Sequence, residues 1–492
     1  MNEGILTGRA NRLLRIEPQY PTLLAILGAI LAVRIAGLAV SNAELYFDEA
    51  QYWSWAQEPA FGYYTKPPLI AWLIAAGTAA CGDTPFCVRF PAPLVHFATA
   101  LLVHGVALRL FDRRIAFWSA IVYATMPGTS LSATLMSTDV PLLFFWTLGL
   151  LAIVRHVERP SVADGLMLGV AVGLGLNAKY AMIYLPLCFV LHAISDRGAR
   201  RALLHPGTLV GLVVAAALIA PNILWNAEHA FATFEHTRDN ASWASRFPNL
   251  LGVLEFVGTQ AVILGPIAFA AYALAVAAKA GGVDRRARAL LVYHSLPVFL
   301  LIVVQAFVSR AHGNWAATAF PAAAILGTAA MFALDWKRGF RATIDIAGVA
   351  LVGVTFAGAL AGAVTWGPLG GELGKLRGWG DLAAKVANVA EEQKVGTVVP
   401  TQRGLTASMI YELRDSGLTV KAWRPDPAKP RDHFELTRPW AADDPGPVLL
   451  VVVGDAPPPD EIVLRSVRVA LVPTTVHVAK RSGWVVSVYR VE

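Results

Sequence analysis

Two adjacent carboxylates, Asp48 and Glu49, stand among aromatic residues in the segment from Glu44 to Trp55. Adjacent carboxylates repel each other, so one of them ionises less readily unless a cation or metal lies nearby. A carboxylate in this position could act as a general base toward an acceptor hydroxyl. Either residue could instead cap the aromatic helix that follows, and the residues by themselves favour this structural interpretation.

Two lysines stand next to apolar segments. Lys66 precedes a pair of prolines that fixes the start of a short apolar helix. Its ammonium group could snorkel to lipid phosphate or bind the phosphate of a lipid substrate, and both interpretations stay open. Lys179 interrupts an apolar hairpin, where a lysine is costly unless it is paired or hydrated.

A third carboxylate, Asp139, begins a strongly apolar helix. Thr138 or Asp139 could simply cap that helix. If Asp139 lies at the membrane edge beside the loop that carries Asp48, the two would instead form a two-carboxylate site. For the aromatic residues near Asp48, a place at the lipid interface is favoured over stacking on sugar rings; these are Trp53, Trp55, Tyr63 and Tyr64.

Later connections carry further side chains that could contact a substrate. They are Asn226, His229, Glu235, His236, Arg238, Arg310, His312, Asn314 and Trp315. An isolated external histidine is more often solvated than a metal ligand. The sequence has no HExxH, paired CxxC, GxSxG or P-loop motif, which argues against a zinc protease, a hydrolase with a nucleophile elbow and an ATP-driven pump.

Composition determines which elements must position these side chains. The chain has 492 residues, of which 56% are hydrophobic and only 15% charged, against about 25% charged in soluble domains. The mean hydropathy of +0.53 excludes a soluble cytosolic protein, and apolar runs of about 20 residues match a bilayer core of roughly 30 Å. The net charge of +7 lies in short Lys/Arg clusters between apolar runs, which is typical of membrane orientation signals and not of nucleic-acid binding.

We predict a polytopic α-helical membrane protein with about eleven spans. The spans are residues 21–40, 88–110, 115–132, 140–156, 162–178, 180–195, 207–225, 250–278, 290–308, 315–334 and 343–365. With the N-terminus in the cytoplasm, alternate connections carry the basic clusters, as the positive-inside rule requires. The apolar run 67–80 is too short to span and predicts an interfacial or re-entrant helix. The first span, which follows Arg9, Arg12 and Arg15, is interpreted as an uncleaved signal anchor.

Two domains are predicted: a transmembrane domain, 1–366, with its first external loop at 41–87, and a soluble extracytoplasmic α/β domain, 367–492. In the second domain the pattern predicts an amphipathic helix at 379–392 and strands at 395–399, 448–453, 467–472 and 484–491. Cys81 and Cys87 fall in the external loop, where an oxidising compartment permits a disulfide, but the sequence leaves its formation open.

Six segments form an ordered set. They are Tyr46-Phe47-Asp48-Glu49-Ala50, Tyr64-Thr65-Lys66-Pro67-Pro68-Leu69, Val88-Arg89-Phe90-Pro91, Ser137-Thr138-Asp139-Val140-Pro141-Leu142, Pro221-Asn222 with Trp225-Asn226 and His229, and His312-Gly313-Asn314-Trp315. This set resembles the bacterial C-type (GT-C) membrane glycosyltransferases, in particular the lipid A aminoarabinose transferases and the related protein O-mannosyltransferases. The resemblance covers roughly residues 20–365 and is weaker beyond them.

The resemblance implies a GT-C fold and transfer of a sugar from a polyprenyl-phosphate donor to an acceptor at the periplasmic face, with inversion. Asp48 matches the first-loop acid, the candidate general base or acceptor-positioning carboxylate, with Glu49 in reserve. Asp139 matches the second acid. Lys66 matches a lysine that contacts the donor phosphate. Such a donor is already activated, so the reaction needs no nucleotide cofactor and depends on stabilising the departing phosphate and aligning the acceptor hydroxyl.

Other candidate residues complete the predicted site. Lys179 and Arg310 are candidate helpers of Lys66 at the phosphate. The candidate substrate contacts are Tyr64, Asn226, His229, His312, Asn314 and Trp315.

One position departs from the family pattern. The aminoarabinose transferases carry a glutamate just before the lysine, and it serves with a loop histidine at a metal site. Here that position is Thr65, whereas His236 resembles the histidine through its Glu235 neighbour. Binding of a divalent metal ion therefore stays open, because the site lacks the glutamate ligand that Thr65 replaces.

The expected partners are a polyprenyl-phosphate sugar, membrane lipids and an acceptor that is lipid A, another glycan or a protein; no nucleic acid is expected. The alternative from another class is a transporter or flippase that moves a lipid-linked sugar without forming a bond. Polar residues gathered at one membrane face favour the enzyme, because transporters place them near the midplane. The expected location is the bacterial inner membrane, with the N-terminus cytoplasmic and the C-terminal domain periplasmic.

Overall fold

The computed structural model describes residues 19–241, 247–361, 373–426, 428–474 and 485–492, so the three N-terminal arginines lie outside the described residues. The chain divides into two compact units. The first, here the helical unit, comprises Met1–Leu38, Lys66–Ile70 and Arg89–Thr355. The second, here the α/β unit, comprises Ala39–Thr65, Ala71–Val88 and Phe356–Glu492.

Helices make up most of the described chain. In chain order they are α1 (Tyr20–Ala39), α2 (Phe47–Gln57), α3 (Leu69–Cys81), α4 (Pro85–Arg89), α5 (Pro91–Leu110), α6 (Arg113–Thr125), α7 (Pro127–Ser132), α8 (Asp139–Glu158), α9 (Val162–Ala178), α10 (Tyr184–Ser195), α11 (Arg197–Leu203), α12 (Pro206–Glu228), α13 (Ala232–Ala241), α14 (Leu250–Leu264), α15 (Pro266–Val276), α16 (Arg285–Tyr293), α17 (Leu296–Val308), α18 (Phe320–Ala333), α19 (Lys337–Ala357), α20 (Trp379–Glu392), α21 (Arg403–Glu412) and α22 (His433–Thr437). Short 3₁₀ helices at Tyr180–Ile183 and Gly313–Ala319 precede α10 and α18.

Seven helical segments of the described chain are long and apolar enough to cross a membrane. They are Tyr20–Ala39, Pro85–Leu110, Asp139–Glu158, Pro206–Glu228, Arg285–Val308, Gly313–Ala333 and Lys337–Leu360, and each coincides with a predicted span. Predicted spans 162–178 and 180–195 are shorter apolar helices, and 115–132 is divided between α6 and α7. The multi-span architecture is therefore confirmed, whereas the number eleven stays a prediction.

The predicted single span at 250–278 is wrong in one respect, because the helix is broken. Helices α14 and α15 meet at an angle of 109°. Gly265 between them has a φ of +93°, a conformation that residues with a Cβ rarely adopt. Pro266 then starts α15, since proline lacks the N–H that would continue α14. As predicted, the run after Pro67-Pro68 forms only a short helix, α3, of 13 residues.

Helices α9 and α12 pack in close contact along a row of glycines. A Cβ at Gly165 would lie 2.0 Å from the Gly207 carbonyl oxygen, and one at Gly169 would lie 2.3 Å from that of Gly211. Small residues allow helix backbones to approach this closely in membrane proteins. The packing brings the C-terminal end of α9, which carries Lys179 and Tyr180, against the C-terminal half of α12.

The α/β unit contains a five-stranded sheet. Its strands, in the order β2-β1-β5-β7-β6, are β1 (Thr397–Pro400), β2 (Thr419–Val420), β5 (Val448–Val453), β6 (Ser466–Pro473) and β7 (Val485–Val491). Strands β2, β1 and β5 are parallel, and β5, β7 and β6 are antiparallel. A separate parallel pair joins β3 (Ala422–Trp423) and β4 (Pro439–Trp440). The α/β character and all four predicted strands are confirmed, together with the predicted helix, α20.

The predicted division at residue 366 stays a prediction, because residues 362–372 lie outside the described residues, but the first external loop groups differently from the prediction. The predicted transmembrane domain included the first external loop, but most of this loop belongs to the α/β unit. Glu44 accepts hydrogen bonds from the backbone N–H groups of Trp379 (2.7 Å) and Gly380 (3.2 Å), and Glu58 pairs with Arg438. These contacts span more than 300 residues of sequence, which is why no local composition shift revealed them. Cys81 and Cys87, with Cα atoms 5.8 Å apart, form a disulfide in the same loop.

Candidate active site

The two adjacent carboxylates of the first loop have different surroundings. The Glu49 side chain is buried, and its Oε2 accepts a hydrogen bond of 3.0 Å from the Tyr46 backbone N–H. This contact is half of a capping box at the start of α2. The Asp48 side chain is 37% exposed and bonds to a cation. Of the two side chains, that of Asp48 is the more exposed, and that of Glu49 has the geometry of a helix cap.

The cation beside Asp48 is Arg403, the first residue of α21. Its NH1 donates to Asp48 Oδ1 at 2.9 Å and to Gln51 Oε1 at 2.6 Å. The guanidinium carbon also lies 5.2 Å from the centre of the Phe47 ring. No sequence motif predicted a role for Arg403, because it is 355 residues from Asp48 and belongs to none of the motifs.

Gln51 connects this cluster to the segment that carries the predicted phosphate-binding lysine. Its Nε2 donates to Thr65 Oγ1 at 3.3 Å, and Lys66 follows Thr65 in the chain. Lys66 is half-buried and opens the short Lys66–Ile70 segment that belongs to the helical unit. The predicted grouping of Asp48, Lys66 and Asp139 stays a prediction, because Asp48 belongs to a different compact unit from the other two.

Three aromatic residues of the first loop are buried in the α/β unit, which differs from their expected place at the lipid interface; they are Trp53, Trp55 and Tyr63. Trp55 and Tyr63 are each 1% exposed and stack with ring centres 4.5 Å apart. Trp53 donates to Asp83 at 2.6 Å. The Tyr64 hydroxyl donates to the Pro430 carbonyl at 2.7 Å. Tyr64 was predicted to contact the substrate, and here its hydroxyl binds another part of the protein.

Asp139 is the centre of a second polar cluster, in the helical unit. At the start of α8 its Oδ1 accepts from Lys179 Nζ at 2.7 Å, and its Oδ2 accepts from Asn314 Nδ2 at 2.7 Å. The Asp139 side chain is 9% exposed and that of Lys179 is 19% exposed. Lys179 follows the end of α9 in an extended backbone conformation. The lysine is thus paired, as its apolar surroundings require.

Tyr180, the residue after Lys179, ties three helices together. Its hydroxyl donates to Asn222 Oδ1 at 2.8 Å and accepts from Asn226 Nδ2 at 3.3 Å. Its ring stacks on Phe234 of α13, with ring centres 4.8 Å apart. Asn226 is fully buried and also accepts from the Thr233 N–H at 3.2 Å. Asn226, a predicted substrate contact, therefore holds α12 to α13.

Histidines and arginine of the later connections lie near the second cluster or on α12. His229 stacks on Trp225, with ring centres 4.0 Å apart, and its Nδ1 donates to the Trp225 carbonyl. His312 has an edge contact with Trp315 at 5.3 Å between ring centres. Burial lowers the pKa of His312, and the charges of Arg310 and Lys179 lower it further. His312 is therefore neutral at pH 7 and adds no positive charge.

The residues do not fit the metal site that the resemblance left open. Among the described residues, no three His, Cys, Asp or Glu side chains lie close enough together to hold a metal ion. Thr65 stands where a carboxylate would be needed, and its hydroxyl already accepts a bond from Gln51. His236 lies in α13 next to Glu235.

Similarity to known proteins bears on this arrangement. Residues 65–225 match the family model described as "Dolichyl-phosphate-mannose-protein mannosyltransferase". The chain is 35% identical over 434 residues to the lipid A galacturonosyltransferase RgtD of Rhizobium johnstonii, covering 88% of this chain and 90% of that relative. It is 30% identical over 176 residues to an undecaprenyl phosphate-alpha-4-amino-4-deoxy-L-arabinose arabinosyl transferase of Pseudomonas fluorescens, covering 34% of this chain and 32% of the relative.

Solved structures share the fold. ArnT from Cupriavidus metallidurans in the apo state superposes with a TM-score of 0.66 at 14% identity, covering 94% of this chain and 97% of that chain. ArnT bound to undecaprenyl phosphate gives 0.65 at 16% identity, covering 96% and 98%. The archaeal oligosaccharyltransferase AglB from Archaeoglobus fulgidus gives 0.51 at 10% identity, covering 81% and 64%. At these identities the likeness concerns the fold alone.

Proposed function

Since the chain belongs to the GT-C membrane glycosyltransferases that include the lipid A galacturonosyltransferase RgtD, we propose that it transfers a galacturonosyl group from a polyprenyl-phosphate donor to lipid A. The chain is a glycosyltransferase that uses a polyprenyl-phosphate sugar. The galacturonosyl group and the lipid A acceptor are the proposed part. The observation that supports them is the 35% identity to RgtD over nearly the whole of both chains.

The reaction we propose is a single displacement with inversion. The acceptor hydroxyl attacks the anomeric carbon, the bond from that carbon to the phosphate oxygen breaks, and polyprenyl phosphate leaves with the bonding electron pair. Asp48, partly exposed at the start of α2, takes the hydroxyl proton as the new bond forms, a general-base contribution of about 10² to 10⁴ in rate. Lys66 balances the charge that accumulates on the departing phosphate.

Asp139, Lys179 and Asn314 have a supporting part in this mechanism. Both Asp139 oxygens are engaged within the protein, at 2.7 Å each, so this carboxylate holds Lys179 and Asn314 in place. Lys179 keeps two further N–H donors that a phosphate oxygen can accept from. We propose that the cluster orients the donor phosphate, and that Arg310 and the neutral His312 complete its surroundings.

We propose that this chemistry takes place at the periplasmic face, with the C-terminal residues on that side. The disulfide between Cys81 and Cys87 supports the placement, because disulfides persist in the periplasm and are rare in the cytosol. The basic clusters on alternate connections support the same orientation. Thiol labelling of single cysteines introduced at exposed positions of the α/β unit would test it in intact cells.

A transfer assay with purified protein in detergent tests the proposed function. Radiolabelled polyprenyl-phosphate galacturonic acid and lipid A should give labelled lipid A without a sealed vesicle, whereas transport requires one. Parallel reactions with a galactosyl or aminoarabinosyl donor measure the choice of sugar. Transfer of only a different sugar, or transfer only to another glycan or a protein, would contradict the proposal while leaving the enzyme class intact.

A further inference from the structure

Arg403 lies next to the end of the sheet at which α/β folds bind ligands. It follows β1, whose parallel neighbours β2 and β5 lie on opposite sides of it. The connection from β1 through α21 leads to β2 on one side, whereas the chain later returns to β5 on the other. Ligands of open α/β sheets bind outside the carboxyl ends of the strands at such a switch point. Arg403, the first residue of α21, is at this end of β1.

The guanidinium of Arg403 is only partly used by the protein. Its NH1 makes both of its hydrogen bonds, to Asp48 and to Gln51. Nε and NH2 have no hydrogen-bond partner among the described residues, although the charge of Asp432 also acts on the guanidinium. The side chain is 34% exposed. The Nε and NH2 edge of a guanidinium is a planar pair of donors that matches a carboxylate or a phosphate in a bidentate way.

The contacts that Arg403 does make hold this edge in place. The Phe47 ring lies beside the guanidinium at 5.2 Å, and two acceptors fix NH1 at 2.9 and 2.6 Å. A donor pair held in this way loses little conformational entropy when it binds a ligand. Its partner Asp48 is the carboxylate to which the proposed mechanism gives the acceptor proton, so an anion bound here belongs to a reacting substrate.

We propose that Arg403 is a substrate-binding residue that recognises an oxyanion carried by one of the two substrates. The oxyanion is either the carboxylate of the uronosyl donor or a phosphate of the glycolipid acceptor. The proposal rests on the proposed function, since a neutral donor and an uncharged acceptor would offer no such group. It gives the C-terminal sheet a role in choosing the substrate, which no motif of the sequence indicated.

Substrates that differ in one charge test the proposal. The full-length protein and its Arg403→Gln and Arg403→Lys variants are assayed with galacturonosyl and galactosyl donors, and with lipid A and its dephosphorylated form. Because Arg403 also contacts Asp48, Arg403→Gln lowers kcat/KM for every pair. The measured quantity is therefore the ratio of kcat/KM for the charged and the neutral substrate, in each arm.

We expect Arg403→Gln to reduce this ratio by about 10- to 150-fold in one arm, the loss that corresponds to hydrogen bonds with a charged group. A change in the donor arm identifies the uronate carboxylate as the ligand, and a change in the acceptor arm identifies the phosphate. Arg403→Lys should recover only part of the ratio, because an ammonium group lacks the planar donor pair. The matched control is Arg438→Gln, which breaks another ion pair between the loop and the C-terminal residues, with Glu58, and should leave both ratios unchanged.

Equal losses for charged and neutral substrates in both arms, or no loss, would overturn the proposal. If Arg403→Gln does not fold, as judged by gel filtration and thermal unfolding, Arg403→Lys gives the same comparison. Failure of the proposed function has a different signature, since the wild-type protein would then transfer no galacturonosyl group to lipid A.

Discussion

Replacement of Lys179 by methionine should destabilise the helical unit strongly. The Asp139 side chain is 9% exposed, and once its ion pair of 2.7 Å is lost, Asn314 is the only side-chain partner left to it among the described residues. Removing one partner of a buried pair leaves an uncompensated charge, which costs about 3 to 5 kcal/mol. The double variant Lys179→Met with Asp139→Asn leaves no unpaired charge, so it should cost clearly less than Lys179→Met alone.

The free energy of unfolding of each variant can be measured by SDS titration in mixed micelles with tryptophan fluorescence. The matched control is Arg109→Gln, which breaks an ion pair of 2.9 Å with Glu158 in the same unit. Both of its partners are at least 40% exposed, so its loss should cost less than about 1 kcal/mol. The prediction is contradicted if Lys179→Met costs no more than this control, or if the double variant costs as much as Lys179→Met alone.

Four further variants test catalysis, helix capping and the pH dependence of stability. Asp48→Asn should leave folding and insertion intact and lower transfer by about 10² or more, and wild-type transfer by this variant would remove Asp48 from the mechanism. Glu49→Ala, which removes the acceptor of the Tyr46 N–H, should instead mainly cost about 1 kcal/mol of helix stability. The donor assay and thermal unfolding distinguish the two variants. Lys66→Ala should raise KM for the donor or lower kcat, because phosphate charge is left unbalanced, and unchanged donor kinetics would instead favour snorkelling. Burial, with the charge of Glu44, raises the pKa of Glu412 from its ordinary 4.5 to about 7. The native protein thus holds a proton that the unfolded chain releases, so its stability should fall as the pH rises from about 4.5 to about 7 and then level off. Glu412→Gln should reduce the difference in thermal stability between pH 5 and pH 8. An unchanged difference would contradict the raised pKa of Glu412.

Local patterns in the sequence were enough to predict the membrane class, most spans and the C-terminal strands. Apolar runs of about 20 residues have only one stable outcome in a bilayer, because each backbone polar group must be paired within the segment. Strands β5, β6 and β7 followed from short apolar runs rich in valine. The broken helix at Gly265 was within reach of the same reasoning, since a Gly-Pro pair in an apolar run signals an interruption.

The pairing of the candidate residues was decided by the tertiary structure. The sequence offered Asp139 and Lys179 as separate candidates, and they became one cluster because α8 and the end of α9 lie side by side. The sequence could not decide which of Asp48 and Glu49 caps the helix and which is left to contact other groups, because both suit the first turn of a helix. The capping contact of Glu49 with Tyr46, absent for Asp48, made the difference.

The sequence by itself thus determined which segments lie in lipid and which in water, and which types of side chain were candidates for the site. Both follow from hydropathy and residue type, which can be evaluated over a few neighbouring positions. Only the tertiary structure decided that Arg403 meets Asp48 and that the first loop packs with the C-terminal sheet. These contacts join residues hundreds of positions apart, and their free energy depends on the burial and geometry of the folded chain.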